Sequence, residues 1–258
     1  MMTNKIIESD VILTQGNDIY ILNGITTEYL SDILKEYQAI KYIYYNKNNK
    51  ININNYNKNK TSSDKRKIKN LHLIDCPLFY LIELLKINKT ILYLNLNWNF
   101  IDDQEMEIFS EVLKNNKIIQ YFGLQWSNYS KMKYLSKSLI FNKTIIELKL
   151  IQNNIDDNGV KNLSDMLKKN TTIKSINLHG NKISNKGIRY IADMLKINKT
   201  LEEITLYVNN FNGNGTKYIL KSLETNNTLV NFKYSFFHDP HTKYFKKLLY
   251  FNKNNKKE

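Results

Sequence analysis

The chain has 258 residues, a net charge of +14, one Cys and two Pro. That length suits one domain or one solenoid, and the lone Cys excludes an internal disulfide and fits a reducing compartment, cytoplasmic or nuclear. No stretch reaches about 18 consecutive apolar residues, which excludes a membrane span and gives no reason to expect a membrane partner.

The start, MMTNKIIESDVILTQG, has no apolar run behind a basic patch, so no signal peptide is read. The positive charge is nearly all Lys; Arg66 and Arg189 are the only arginines. Abundant Lys, Asn, Ile and Tyr is what an A+T-rich coding sequence supplies. The charge alone therefore speaks only to non-specific contacts.

In chain order, DIYILNG reads as a strand and TTEYLSDILKEY as an amphipathic helix. Residues 1–38 are expected to form an N-terminal cap, because an open-ended solenoid needs ends that tolerate water. Residues 39–251 then carry a repeat, interrupted at 46–67 by an Asn/Lys-rich insert without helical apolar positions. Residues 252–258 are expected to be a disordered tail.

The repeat begins with an apolar triplet, h-x-x-h-x-h. Its copies start at Ile40, Ile68, Ile91, Ile119, Ile145, Ile173, Leu201 and Leu229, in steps of 28, 23, 28, 26, 28, 28 and 28. Five residues after each middle apolar position stand Asn48, Cys76, Asn99, Ser127, Asn153, Asn181, Asn209 and Phe237. In x-L-x-L-x alternate residues point to opposite faces, so Leu94 and Leu96 go inward while Tyr93, Asn95 and Asn97 go outward. The chain then turns, and its buried backbone groups need partners. An Asn amide both donates and accepts, so it can bridge the turn and the neighbouring coil. Asn48, Cys76, Asn99, Asn153, Asn181 and Asn209 are therefore read as a structural ladder, with Cys76 as a small buried substitute.

Helical spacing follows each turn: Met106, Phe109 and Leu113; Val160, Leu163 and Leu167; Ile188, Ile191 and Leu195. Asp156, Ser184 and Asn212 are N-cap candidates. Gly159, Gly187 and Gly215 are expected to ease a kink at the helix start. The Asn in LKKNTT, LKINKT and LETNNT is expected to end each helix in a left-handed conformation. Asn88, Asn142, Asn170, Asn198 and Asn226 are also glycosylation sequons, but without a signal peptide they are read as helix exits.

The pattern L-x-x-L-x-L-x-x-N/C-x-L over residues 40–251 resembles the leucine-rich repeat family, and the 28-residue step its ribonuclease-inhibitor-type subclass. The resemblance implies a right-handed α/β solenoid, a horseshoe with a concave parallel sheet and convex helices. It also implies a non-enzymatic module that binds another protein through the concave face. The outward strand positions are Tyr42, Tyr44, Asn70, His72, Tyr93, Asn95, Asn97, Tyr121, Gly123, Gln125, Glu147, Lys149, Ser175, Asn177, His179, Glu203, Thr205, Tyr207, Asn231 and Lys233, with Trp98 and Trp126 just past the strands. The candidate partner-binding set is Tyr93, Asn95, Asn97, Trp98, Tyr121, Gln125, Trp126, Glu147, Lys149, His179, Glu203 and Tyr207, centred on the Trp98–Trp126 step.

No cofactor, metal site or catalytic group is expected. His238 and His241 are two ligands without further partners. His72 and Cys76 are expected on opposite strand faces, and Asp102-Asp103 and Asp156-Asp157 sit where carboxylates complement helix dipoles. Lys114, Lys137, Lys161, Lys168, Lys182, Lys196, Lys217 and Lys221 fall on outward helix positions, so the alternative is weak, salt-sensitive nucleic-acid binding by the convex side. Some proteins with this repeat stimulate a small GTPase through an Arg in an early repeat loop, and Arg66 is the residue near such a place. A monomer is expected.

Overall fold

The computed structural model describes residues 11–15, 18–22, 42–46, 70–73, 82, 85–86, 91–97, 101–235 and 241–255, the first four stretches by backbone and pairing alone. The proposed cap helix, residues 47–67 of the insert expected at 46–67, Asn48, Cys76, Asn99, Trp98, Arg66 and His238, and the side chains of Tyr42, Tyr44, Asn70 and His72, lie outside what is described; Asn46 ends a strand.

Among the described residues, ten strands lie in one sheet in sequence order. β1 (Val11–Gln15) and β2 (Asp18–Leu22) form an antiparallel hairpin at one end. From β2 onward every pairing is parallel, through β3 (Tyr42–Asn46), β4 (Asn70–Leu73), β5 (Tyr93–Asn95), β6 (Tyr121–Gly123) and β7 (Glu147–Lys149), then β8 (Ser175–Asn177), β9 (Glu203–Thr205) and β10 (Asn231–Lys233). Helices α1 (Asp103–Asn115), α2 (Lys133–Leu139), α3 (Asp157–Leu167), α4 (Asn185–Leu195) and α5 (Gly213–Leu223) each connect two neighbouring strands, and α6 (Thr242–Asn255) ends the described chain.

This alternation fixes the curve. Paired strands stand about 4.8 Å apart, whereas packed helices stand about 8–10 Å apart. Equal numbers of each can stack only if the helices take the outer circumference and the sheet the inner.

The apolar triplets fill the space between the two layers. Ile145, Leu148, Leu150, Ile173 and Ile176 are fully buried, and the helix positions Met106, Phe109, Leu113, Ile188 and Leu195 meet them from the other side. A further apolar row follows the turn: Ile101, Tyr129, Ile155, Ile183 and Phe211, all buried. In that row burial, aided by the Asp103 carboxylate, pushes the Tyr129 phenol above its ordinary range, so it stays neutral.

At the strand-to-helix turn each rung asparagine ties two coils. Asn181 donates through Nδ2 to the carbonyls of Leu150 and Leu178, both at 2.9 Å. Its Oδ1 accepts from the amides of Asn153 and Ile155, both at 3.0 Å. Asn153 and Asn209 donate backward to Leu124 and Leu178 in the same way. Ser127 occupies the slot with a hydroxyl, which donates to Leu96 at 3.0 Å, while its amide donates to Asn153 Oδ1 at 3.1 Å.

The helix exits differ from the left-handed cap expected of them. None of Asn116, Asn142, Asn170, Asn198 or Asn226 has positive φ. They form a second ladder. Asn142, Asn170 and Asn198 donate to the carbonyls of Leu113, Leu139 and Leu167, each at 2.7 Å, and Asn226 to that of Leu195 at 2.8 Å. Each Oδ1 accepts the amides two and three residues on, as Asn198 does from Thr200 and Leu201 at 2.8 and 2.7 Å. Asn142, Asn170, Asn198 and Asn226 are 1–3% exposed. Sequon asparagines so placed present no amide to a glycosylating enzyme in the folded chain.

The ladder also moves the C-terminal boundary. α6 runs through Asn255, and Asn252 is buried and donates to Asn226 and Leu229 at 3.0 and 2.8 Å. Residues 252–255 therefore belong to the helical cap and not to a tail.

Helix starts follow from Asp102, Asp156, Ser184 and Asn212, whose side chains accept from first-turn amides; Asp102 closes a capping box with Glu105. The glycines there serve close packing and not a kink. A Cβ on Gly159 would come within 2.2 Å of the Ser130 carbonyl oxygen, whereas one on Gly213 would meet nothing within 4 Å. Gly159→Ala is accordingly expected to destabilise by about 1–3 kcal/mol. Gly213→Ala is expected to be neutral or to stabilise by about 0.5 kcal/mol. Urea denaturation of both variants measures the contrast.

Candidate functional site

The exposed face of the sheet is built from two register rows. The first runs Tyr93, Tyr121, Glu147, Ser175, Glu203, Asn231, and the second Asn95, Gly123, Lys149, Asn177, Thr205, Lys233. Parallel pairing stacks equivalent residues, so neighbours within a row interact directly. The Tyr93 and Tyr121 rings lie 4.0 Å apart between centroids and 6° from parallel. Tyr93 remains 38% exposed, so the pair presents aromatic surface outward. Beside it Gly123 leaves a notch that Asn95 fills: a Cβ on Gly123 would stand 2.5 Å from Asn95 Oδ1. That buried Oδ1 accepts no hydrogen bond from a described residue.

Away from the aromatic pair the face is close to neutral. Lys149 pairs with Glu147 at 2.9 Å, and Lys233 with Glu203 at 2.7 Å, where Asn231 also donates. The Asn177 side chain accepts from the His179 amide, and the His179 ring meets Tyr207 edge-on at 6.4 Å. Thr205, expected outward and open, is buried between Asn177 and Lys233 in its row. Gly123 is likewise buried, under Asn95.

A third row lies just past the strands, and its backbone could not be foreseen. Trp126, Gln152, Gly180 and Val208 each precede a ladder residue, and each has φ between 54° and 67°. Their amides donate across the turn, to Ile151, His179 and Tyr207 carbonyls and to Ser235 Oγ respectively. This position is easy for Gly and strained for other residues, most of all for a β-branched one. Trp126 and Val208 nevertheless hold it, and they are 46% and 59% exposed. Val208 was missed in the sequence; the signal was an apolar letter inside the polar turn YVNN, with Gly180 marking the same slot one coil earlier. Val208→Gly is expected to raise stability by about 0.5–1 kcal/mol through release of backbone strain, and Val208→Ala to give no such gain. Thermal melts of the two variants distinguish these outcomes.

Of the twelve candidate residues, Tyr93, Asn95, Tyr121, Glu147, Lys149 and Glu203 fall in the two strand rows. Asn97, Gln125, His179 and Tyr207 line the strand exits, with Trp126 beyond them. Tyr207 stands 40% exposed. The Trp98–Trp126 step itself lies outside the described residues, so the described centre is Tyr93, Tyr121 and Trp126.

The helical side is less free to attract anions than its lysines suggest. Lys114 pairs with Glu111, Lys161 and Lys168 with Asp165, and Lys196 with Asp193, at 2.7–3.1 Å. The hydrogen bond from Lys161 holds the Asp165 carboxyl below its usual range. Among the described residues no three His, Cys, Asp or Glu side chains are grouped to hold a metal ion. No described helix is long and apolar enough to cross a membrane.

Phased parallel strands, an apolar interior shared by the described coils and a rung of Asn153, Asn181 and Asn209, with Ser127 in the same slot, define a leucine-rich repeat solenoid. The TMOD/LMOD leucine-rich domain profile matches residues 124–255, just over half of the chain, and the chain belongs to that family. Among solved structures it is similar to leiomodin-1 actin-binding site 2, with 25% identity and a TM-score of 0.48 over 70% of this chain and 93% of that one. It is also similar in fold to the tropomodulin C-terminal domain of Caenorhabditis elegans, with 12% identity and a TM-score of 0.50 over 70% of this chain and 96% of that one. No curated protein matches.

Proposed function

We propose that this chain is a non-enzymatic binding module that holds another protein against the exposed face of its sheet. The observation that carries the reading is the stacked Tyr93–Tyr121 pair on that face, extended by the exposed, strained Trp126. Aromatic side chains bury much area with few rotors, which suits anchoring to a partner. The neutral ion pairs around them fit a rim that sets register without a strong field. Membership of a family of leucine-rich domains supports the same reading. The 28-residue step and complete helices support placing the repeat in the ribonuclease-inhibitor-type subclass.

Actin is the first partner to try, because the family's name covers leiomodin and the leiomodin-1 fragment is named for an actin-binding site. The test is co-sedimentation with actin filaments and binding to actin monomers, with the wild type beside a Tyr121→Ala, Trp126→Ala double variant. Binding that the double variant loses supports an actin-binding face. If actin is not bound, affinity capture from native cells with the same two proteins identifies the partner. Recovery of the same partners by both proteins would refute the face.

A further inference from the structure

The last helix, α6, carries a surface that the sheet-face reading does not use. Phe245 and Asn252 are 3% exposed and point into the stack, with Leu248 and Leu249 packed partly against the core. A helix turns about 100° per residue. Lys243, Lys247, Tyr250 and Asn254 therefore line the opposite side, with Tyr244 and Phe251 along its flank. All six are exposed, the three aromatic rings by 59%, 69% and 60% for Tyr244, Tyr250 and Phe251.

The charge of this helix is one-sided. Thr242–Asn255 contains Lys243, Lys246, Lys247 and Lys253 and no Asp or Glu. The lysines of α1, α3 and α4 discussed above each find a carboxylate on their own helix; those of α6 have none there to find.

We propose that α6 is a docking surface for an anionic lipid bilayer, on which it lies in the plane of the headgroups. Lysines alternating with Tyr and Phe on one side of a helix suit that interface: the rings enter the boundary between headgroup and acyl chain while the ammonium groups reach the phosphates. Two features favour a lipid surface over an acidic protein segment. The four cations are long, flexible Lys side chains spread around the exposed arc of the helix, point charges that can follow mobile phosphates without a fixed acceptor geometry. The three exposed rings are spread over about 120° of the helix circumference, so a yielding surface can meet all three at once. The lack of a spanning segment does not bear on this, since a helix that lies on a membrane need not cross it.

The test is flotation of the full chain with vesicles of phosphatidylcholine alone and of phosphatidylcholine with about a quarter phosphatidylserine. Partition onto the phosphatidylserine vesicles only is expected. Each lysine at the surface contributes about fivefold, so Lys243→Gln, Lys246→Gln and Lys247→Gln together should weaken partition about a hundredfold. Tyr244→Ser with Phe251→Ser should weaken it independently of salt. All five positions are exposed, and circular dichroism checks that each variant keeps its fold. No partition onto phosphatidylserine vesicles would overturn the proposal, as would partition that both sets of changes leave intact. Retention on immobilised poly-glutamate without vesicle binding would assign α6 to an acidic protein and equally overturn it. Because Tyr121 and Trp126 are untouched, this result stands apart from that of the sheet-face test.

Discussion

Asn181→Ala is expected to destabilise the fold by about 3–5 kcal/mol, lowering the melting temperature by about 10 °C. The reason is a count of orphaned groups. The amides of Asn153 and Ile155 lose their acceptor and the carbonyl of Leu150 loses its donor, while the Leu178 carbonyl keeps the donor it has in Asn209. All lie at a turn where the Asn181 side chain is 5% exposed, so water cannot replace it freely. Each unsatisfied buried group costs about 1–3 kcal/mol, partly recovered as the coil relaxes. Asn181→Asp should be no better than Ala: a carboxylate can accept the two amides but sets negative charge against two carbonyl oxygens. Asn115→Ala serves as the control. Asn115 is exposed at the end of α1, makes one side-chain bond, to Glu111, and should move stability by less than about 0.5 kcal/mol. Guanidinium denaturation of the three variants decides it; an Asn181→Ala protein within error of wild type would remove the ladder from the account of stability.

The double change Tyr121→Ala with Trp126→Ala is expected to lower partner affinity at least about a hundredfold, since two central aromatic anchors each contribute about 2 kcal/mol or more. Stability should hardly fall. Tyr121 loses its stack on Tyr93, worth about 0.5–1.5 kcal/mol. Against that, Trp126→Ala removes a large exposed ring from a left-handed site without adding strain. Loss of binding without loss of stability is the signature of a side chain kept for a partner. Tyr218→Ala is the matched control, because Tyr218 is 43% exposed on α5, on the helical side. It should leave affinity unchanged. Equal loss from Tyr218→Ala would point to the helices instead.

The architecture was readable because its rules are local and repeated. Leu148, Leu150 and Asn153 follow from alternation and from the need of a turn for donors and acceptors, and the same letters recur at the same phase. What resisted reading depends on contacts between coils. Gly159 looked like a source of backbone freedom, yet its place is set by the Ser130 carbonyl of the preceding coil. Asn170 and Asn198 looked like helix ends, yet each reaches a carbonyl about 31 residues earlier. Asn252 looked like tail because its two acceptors, Asn226 and Leu229, are on another coil. On the candidate face, the order of outward residues was legible from strand alternation. The left-handed backbone at Trp126 and Val208 was not, since only Gly180 among the four equivalents betrays it.

The claim that a protein partner sits on the sheet is tested most directly by photo-crosslinking. A benzophenone amino acid replaces Lys149 on the sheet face in one protein and Lys217, on the outer side of α5, in another. Each is irradiated with the captured partner, with actin first. Crosslinks from position 149 and none from position 217 are expected; crosslinks from 217 with none from 149 would contradict the account.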